Sequence, residues 1–328
     1  MSGAPPRPAV EFADILGARD RIRDRAHRTP VIRSRSVDEA AGCAVFLKAE
    51  NLQRGGAFKF RGAMNRLLQL SEEERRRGVL AFSSGNHAQA VALAARELGI
   101  SAELVMPEDA PRAKLAAVRA FGGKVHLYDR ARQKREELAA QLVAAEGRVL
   151  VPPFDDPRII AGAGTAALEL LEDAPELDAL VVPVGGGGLI SGSAIAAHGR
   201  NPRLEVYGVE PETAADVKLS LERGQITAIA DNPTIADGLR TIQPGELTFP
   251  IIQQHVREIV TVSDAELIHA LVFLLLRAKI LAEPSGAAGL AAVLARRVRG
   301  HRQVGVILSG GNVDPEPLAR YLETDARR

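Results

Sequence analysis

Lysine is scarce in this chain: primary amines on side chains are confined to Lys48, Lys59, Lys114, Lys124, Lys134, Lys218 and Lys279. Chemistry that needs a neutral side-chain amine, such as attack on a carbonyl, must choose among these. Lys59 has the most telling surroundings. It follows Gly55-Gly56, which lets backbone approach a ligand closely, and it stands between Phe58 and Phe60 at the start of a predicted helix. There an amine would be pushed toward its neutral form by the helix N-terminus and by a nearby cation, for which Arg61 is the candidate.

Three further turns carry residues able to hold a ligand. Ser83-Ser84-Gly85-Asn86-His87 opens a predicted helix, where hydroxyls and free N–H groups can hold a carboxylate; Ser84 could equally cap that helix. His87 alone proves little, since one helical histidine is usually structural. Gly185-Gly186-Gly187-Gly188 costs much backbone entropy, and amides converging on a phosphate are the physical reason to tolerate it. Ser309-Gly310-Gly311-Asn312 ends the last apolar strand, and Ser309 could face a heteroaromatic nitrogen or simply form a turn.

The elements that must position these turns alternate between apolar β-branched runs and amphipathic helical patterns, which argues for α/β architecture on mainly parallel sheets. Strands are predicted at 44–48, 79–83, 102–106, 124–128, 179–184, 204–209 and 304–308, and helices at 58–70, 86–98, 112–121, 132–145, 157–171 and 189–197. Each turn above stands where a strand ends, which is where such sheets place ligands. At 328 residues the chain suffices for about two domains with a cleft between them. No repeat, low-complexity tract or long linker is evident.

Composition excludes several classes. A formal charge of +1 with 25% charged residues offers no electrostatic handle for nucleic acid. The longest apolar run, 270–276, is far too short to cross a bilayer, and the first residues lack a signal-peptide core, so a cytoplasmic protein is expected. Cys43, the single cysteine, permits no internal disulfide. A dinucleotide fold also places glycines after a strand and an acid about 20 residues on, where Glu210 stands. Its register fails: with Gly186 and Gly188 as the first two glycines, Ser191 occupies the third position.

Taken in order, Gly56-Ala57-Phe58-Lys59-Phe60-Arg61-Gly62-Ala63, Ser83 to His87, Gly185 to Gly188 and Ser309 to Asn312 resemble the threonine dehydratase and serine racemase group of fold type II, tryptophan synthase β-like, pyridoxal phosphate enzymes. The resemblance runs from about residue 20 to 315. It implies a two-lobed α/β fold, with residues 1–77 and 156–328 as a large cofactor domain and 78–155 as a small mobile one. It implies that Lys59 carries pyridoxal phosphate, that Phe58 and Leu189 flank it, that Gly185, Gly186, Gly187 and Gly188 hold the phosphate, that Asn86 meets the ring hydroxyl and that Ser309 meets the ring nitrogen. A serine there supplies no negative charge, which suits elimination better than transamination. Substrate would lie against Ser83, Ser84, Asn86 and His87.

The expected activity is an ammonia-lyase (dehydratase) converting L-threonine or L-serine to a 2-oxo acid and ammonia. The alternative is a threo-3-hydroxyaspartate ammonia-lyase or serine racemase on the same scaffold. Paired Ser83-Ser84 resembles racemases and hydroxyaspartate dehydratases, and the Ser84 hydroxyl would exchange a proton on the face opposite Lys59. Phe82 and Phe154 replace polar residues of racemases, and Ala163 departs from a frequent glutamine. Arg135 could bind a second carboxylate or be a solvated helix charge. The stretch Glu210 to Asp216 resembles a divalent-cation site, with Glu210, the Ala214 carbonyl and Asp216 as hard oxygen ligands for magnesium or calcium, manganese being a third candidate. A homodimer is implied. Only 16 residues follow Asn312, so a C-terminal regulatory domain is not expected.

Overall fold

The computed structural model describes residues 8–83, 85–129 and 132–326. Two sheets organise the chain. The first has six strands in the order β1 (Val31–Ile32), β2 (Ala44–Ala49), β10 (Gln303–Leu308), β7 (Ala179–Pro183), β8 (Glu205–Pro211) and β9 (Glu258–Val262); all pair in parallel except β1 with β2. The second is a parallel sheet of four, in the order β5 (Lys124–Tyr128), β4 (Ala102–Pro107), β3 (Val79–Phe82) and β6 (Val149–Leu150). Every strand of the second sheet lies within 79–150.

Alternation within the strands explains the layering. On β10, Val304, Val306 and Leu308 enter one hydrophobic core, while Ile307 enters the core on the opposite face. A third core, including Phe60, Met64, Val79 and Leu104, packs helices against the second sheet. Both faces of each sheet are thereby covered, as parallel sheets require. Among the described residues, no helix is long and apolar enough to cross a membrane.

The strand order places the ligand-binding turns together. β10 lies between β2 and β7 although it is last in sequence, and the register pairs Leu308 with Ala49 and Val306 with Val181. The turns leaving β2, β7 and β10 therefore emerge side by side at their carboxyl ends, a topological switch point. Backbone bonds tie two of them: Phe58 N–H donates to the Ser309 carbonyl at 3.0 Å, and Gly311 N–H to the Gly56 carbonyl at 2.9 Å. The remaining turn leaves β3, an inner strand of the second sheet.

Candidate active site

Lys59 begins the helix Lys59–Leu67 and lines a cleft shared by residues of all four turns. Its Nζ donates to the Pro153 carbonyl at 2.7 Å and lies 5.0 Å from the Phe58 ring centroid. Burial pushes its pKa down from 10.5 to about 8. The expected contribution of Arg61 is corrected here. Arg61 is fully buried with its charge engaged by Glu50 at 2.7 Å and Glu169 at 2.8 Å, so desolvation is what depresses the lysine.

The Gly185–Gly188 turn ends where the helix Gly188–Arg200 begins, leaving that helix's first amides without intrahelical partners. Gly187 takes a left-handed φ of +96°. A Cβ on Gly186 would stand 2.3 Å from the Phe154 ring, and one on Gly188 2.9 Å from the Phe154 Cβ. Phe154 thus packs where a side chain at Gly186 or Gly188 would project, while one at Gly187 would meet Thr248 and Ile252. Thr248 Oγ donates to the Gly186 carbonyl at 2.7 Å, fixing the loop from behind. Leu189 and Phe58 line the same cleft.

The β3 turn presents a second helix start. Gly85, not a serine, occupies the position before the helix Asn86–Glu97, and Ser83 Oγ accepts the Gly85 N–H at 3.1 Å. Ser84 lies outside the described residues. Asn86 Nδ2 donates to Glu283, and its Oδ1 accepts from Asn312 at 3.0 Å. His87 is buried, with Nε2 3.0 Å from the Val151 carbonyl and Nδ1 without a partner among the described residues. Desolvation, with the nearby Lys59 charge adding, lowers its pKa to about 3, so it is a neutral imidazole. Among the described residues the Ser309 hydroxyl makes a single long bond, 3.4 Å to the Ser285 carbonyl, which leaves it open to a further partner in the cleft.

Arg135 is the first residue of the helix Arg135–Glu146, three residues later than predicted, because Glu136 and Glu137 then occupy the first turn where acids are favoured. It lines the cleft, its guanidinium 5.4 Å from the Phe82 ring centroid. Sequence reading missed Lys114, Asp237, Arg240, Thr241 and Glu283. Lys114, buried in the helix Arg112–Ala120, donates to Asp237 at 2.6 Å and Glu283 at 2.9 Å. Burial opposes its charge, but the two carboxylates outweigh that and hold it above the usual lysine range. Asp237-Gly238 is a turn dipeptide and Glu283-Pro284 a helix start with proline at its first position, the local signals these positions offered.

Glu210 ends near Asp216, away from the cleft floor. Both Glu210 oxygens accept amides of the next helix, Val217 and Lys218, each at 2.9 Å, and Asp216 accepts from Thr241 Oγ at 3.2 Å. Burial first, then the neighbouring Asp216 charge, raises Glu210 well above the carboxylate range. Among the described residues, no three or more His, Cys, Asp or Glu side chains form a metal-holding group. Two carboxylates and the Ala214 carbonyl would need water to complete a shell.

A parallel α/β scaffold that gathers a desolvated amine, a side-chain-free cup at a helix start and an open hydroxyl defines an enzyme built around a phosphorylated aldehyde cofactor. The chain matches the family described as pyridoxal-phosphate dependent enzyme over residues 22–310 and belongs to it. It is 49% identical over 312 residues to a serine racemase of Schizosaccharomyces pombe, covering 95% of this chain and 97% of that one. Identity is also 49% over 312 residues to an L-threo-3-hydroxyaspartate ammonia-lyase of Saccharomyces cerevisiae, covering 95% and 96%. The structure of the processed form of threonine deaminase isoform 2 from Solanum lycopersicum superposes with a TM-score of 0.90 at 32% identity, covering 100% of this chain and 94% of that one. The fold expected from sequence is thus the fold found.

Proposed function

We propose that the protein is an ammonia-lyase for small β-hydroxy amino acids, L-threonine or L-serine, with Lys59 as the residue that carries pyridoxal phosphate and moves the substrate's α-proton. The observation that supports this most is the Lys59 amine, desolvated to a pKa of about 8 in the cleft shared by the glycine cup and the β3 turn. The cup residues Gly185, Gly186, Gly187 and Gly188 with Leu189 would hold the phosphate, Phe58 would flank the cofactor, Asn86 would meet the ring hydroxyl and Ser309 the ring nitrogen. When bound, the cofactor supplies an electron sink that acidifies the α-carbon of an attached amino acid.

The protein's own part is to bind, orient and move protons. The free amides at the start of the helix Asn86–Glu97, with Ser83, would take the α-carboxylate. His87, uncharged, adds no competing cation there. Lys59, neutral in a useful fraction near pH 7, would accept the α-proton, its Nζ aimed by the Pro153 carbonyl. Departure of the β-hydroxyl as water and hydrolysis of the released enamine leave a 2-oxo acid and ammonia. Ser84 is proposed as the proton donor on the opposite face, which would allow some racemisation. Residues 78–155 are proposed as the mobile small domain, and a homodimer as the quaternary state. The cytoplasm is proposed as the location.

A second reading is favoured by one observation: Arg135 lines the cleft, where a hydroxyaspartate enzyme would need a cation for the side-chain carboxylate. Incubating holoenzyme with L-threonine, L-serine, D-serine and L-threo-3-hydroxyaspartate, while measuring 2-oxo acid and enantiomer ratio, separates these readings. Oxo acid from hydroxyaspartate alone would refute the first. A divalent cation at Glu210, Ala214 and Asp216 is proposed as structural or activating. Chelator should then lower the melting temperature, and replacing both acids should remove that sensitivity; no chelator effect would refute the cation.

A further inference from the structure

Two imidazoles outside the cleft, 57 residues apart in sequence, face each other. His198 lies in the last turn of the helix Gly188–Arg200, and His255 ends the helix Thr248–His255. Their Nδ1 atoms stand 2.9 Å apart, and His198 Nε2 lies 3.2 Å from the Leu204 carbonyl. A carbonyl only accepts, so Nε2 carries the His198 proton and its Nδ1 offers a lone pair, toward which His255 donates its own Nδ1 proton. A backbone carbonyl on the far nitrogen is how proteins orient a metal-ligating imidazole. Burial first, then the neighbouring His198, pushes the His255 pKa down, which keeps this ring in the neutral form that ligates. Both rings are half-buried at the edge of an open hollow that Glu205 and Gln254 also line.

We propose that His198 and His255 bind a borderline divalent transition-metal ion, such as zinc, through their Nδ1 atoms, at a site separate from the cleft and from Glu210 and Asp216. The proposal goes beyond the ammonia-lyase reading and holds whichever amino acid is processed. Two nitrogens on one tetrahedral zinc, at bonds of about 2.0–2.1 Å, stand about 3.4 Å apart, so the rings need part by only about half an ångström. As the ion enters, the His255 proton moves from Nδ1 to Nε2, and the N–H···N bond between the rings is what is given up. Water completes the shell, and with two protein ligands the ion should exchange freely. Imidazole suits zinc, whereas the oxygens of Glu210 and Asp216 suit magnesium or calcium. The helix that carries His198 begins at the glycine cup, and the helix that His255 ends begins with Thr248, whose hydroxyl holds the Gly186 carbonyl at 2.7 Å. An ion between the two rings would fix these helices to each other at their far ends, about 12 Å from the cup along the shorter one.

The test titrates holoenzyme with zinc chloride by calorimetry, in excess magnesium so that hard oxygen sites are already filled. About one zinc per chain should bind, and His198→Gln and His255→Gln should each weaken it at least about tenfold. Zinc should raise the melting temperature of the unmodified enzyme and of neither variant. Copper(II) in place of zinc should give an electron paramagnetic resonance spectrum showing two imidazole nitrogens, a reading on the unmodified protein that needs no variant to fold. Absence of zinc binding, zinc affinity unchanged in either variant, or a copper spectrum without histidine nitrogen would overturn the proposal.

Discussion

Burial does to Lys59 what neighbouring charge does elsewhere in the molecule. At a pKa of about 8 the amine is neutral in roughly a tenth of molecules at pH 7, several hundredfold more often than at its ordinary value. Capture of pyridoxal phosphate by apoenzyme should therefore quicken about tenfold per pH unit up to pH 8 and level off above it, as stopped-flow absorbance would show. The sign for stability follows. Because the folded pKa lies below the unfolded one, the unfolded chain binds the extra proton between about pH 8 and 10.5, so this group makes the apoenzyme more stable as pH rises through that window. Lys59 was legible from its glycine pair and aromatic neighbours. The cause of its lowered pKa was not, because only the fold reveals that the Arg61 charge is spent on Glu50 and Glu169.

At the scale of single elements, the glycine cup and the helix Lys59–Leu67 each make a sharp prediction. Gly186→Ala would drive a methyl into the Phe154 ring and should weaken cofactor binding by at least about tenfold in an equilibrium titration, with Phe154→Ala restoring much of it. No recovery in the double variant would contradict the clash with Phe154 as the cause. Arg61 joins Glu50 and Glu169, with Lys48 donating to Glu169 at 2.6 Å, in a buried network of two cations and two anions. Arg61→Met should cost about 3–5 kcal/mol in denaturant unfolding, since it strands buried carboxylates. Seven strands were read from their apolar runs, and β5 matched to the residue. β1 and β6 were missed because two residues carry no periodicity, and β9 was missed although its Ile259-Val260-Thr261-Val262 run is β-branched. Phe154 was visible only as an unusual aromatic; its packing against the cup depends on contacts from distant chain.

Over the whole molecule, the chemistry depends on segments far apart in sequence meeting at the carboxyl ends of two sheets. Lys114 shows this most clearly: it is separated by 123 residues from Asp237 and by 169 from Glu283, yet it joins them beneath the β3 turn. Nothing local in the chain could disclose that triad, whereas the four glycine turns announced themselves as breaks in apolar strands. Lys114→Met should lower stability by about 3 kcal/mol at neutral pH and by less near pH 4, where the stranded carboxylates can protonate, as paired urea titrations would show. The most direct measurement is borohydride reduction of the holoenzyme followed by proteolysis and mass spectrometry. A pyridoxyl group on the peptide containing Lys59, and on no other lysine, is the predicted result; a label on Lys114 or any other amine, or no label at all, would contradict it.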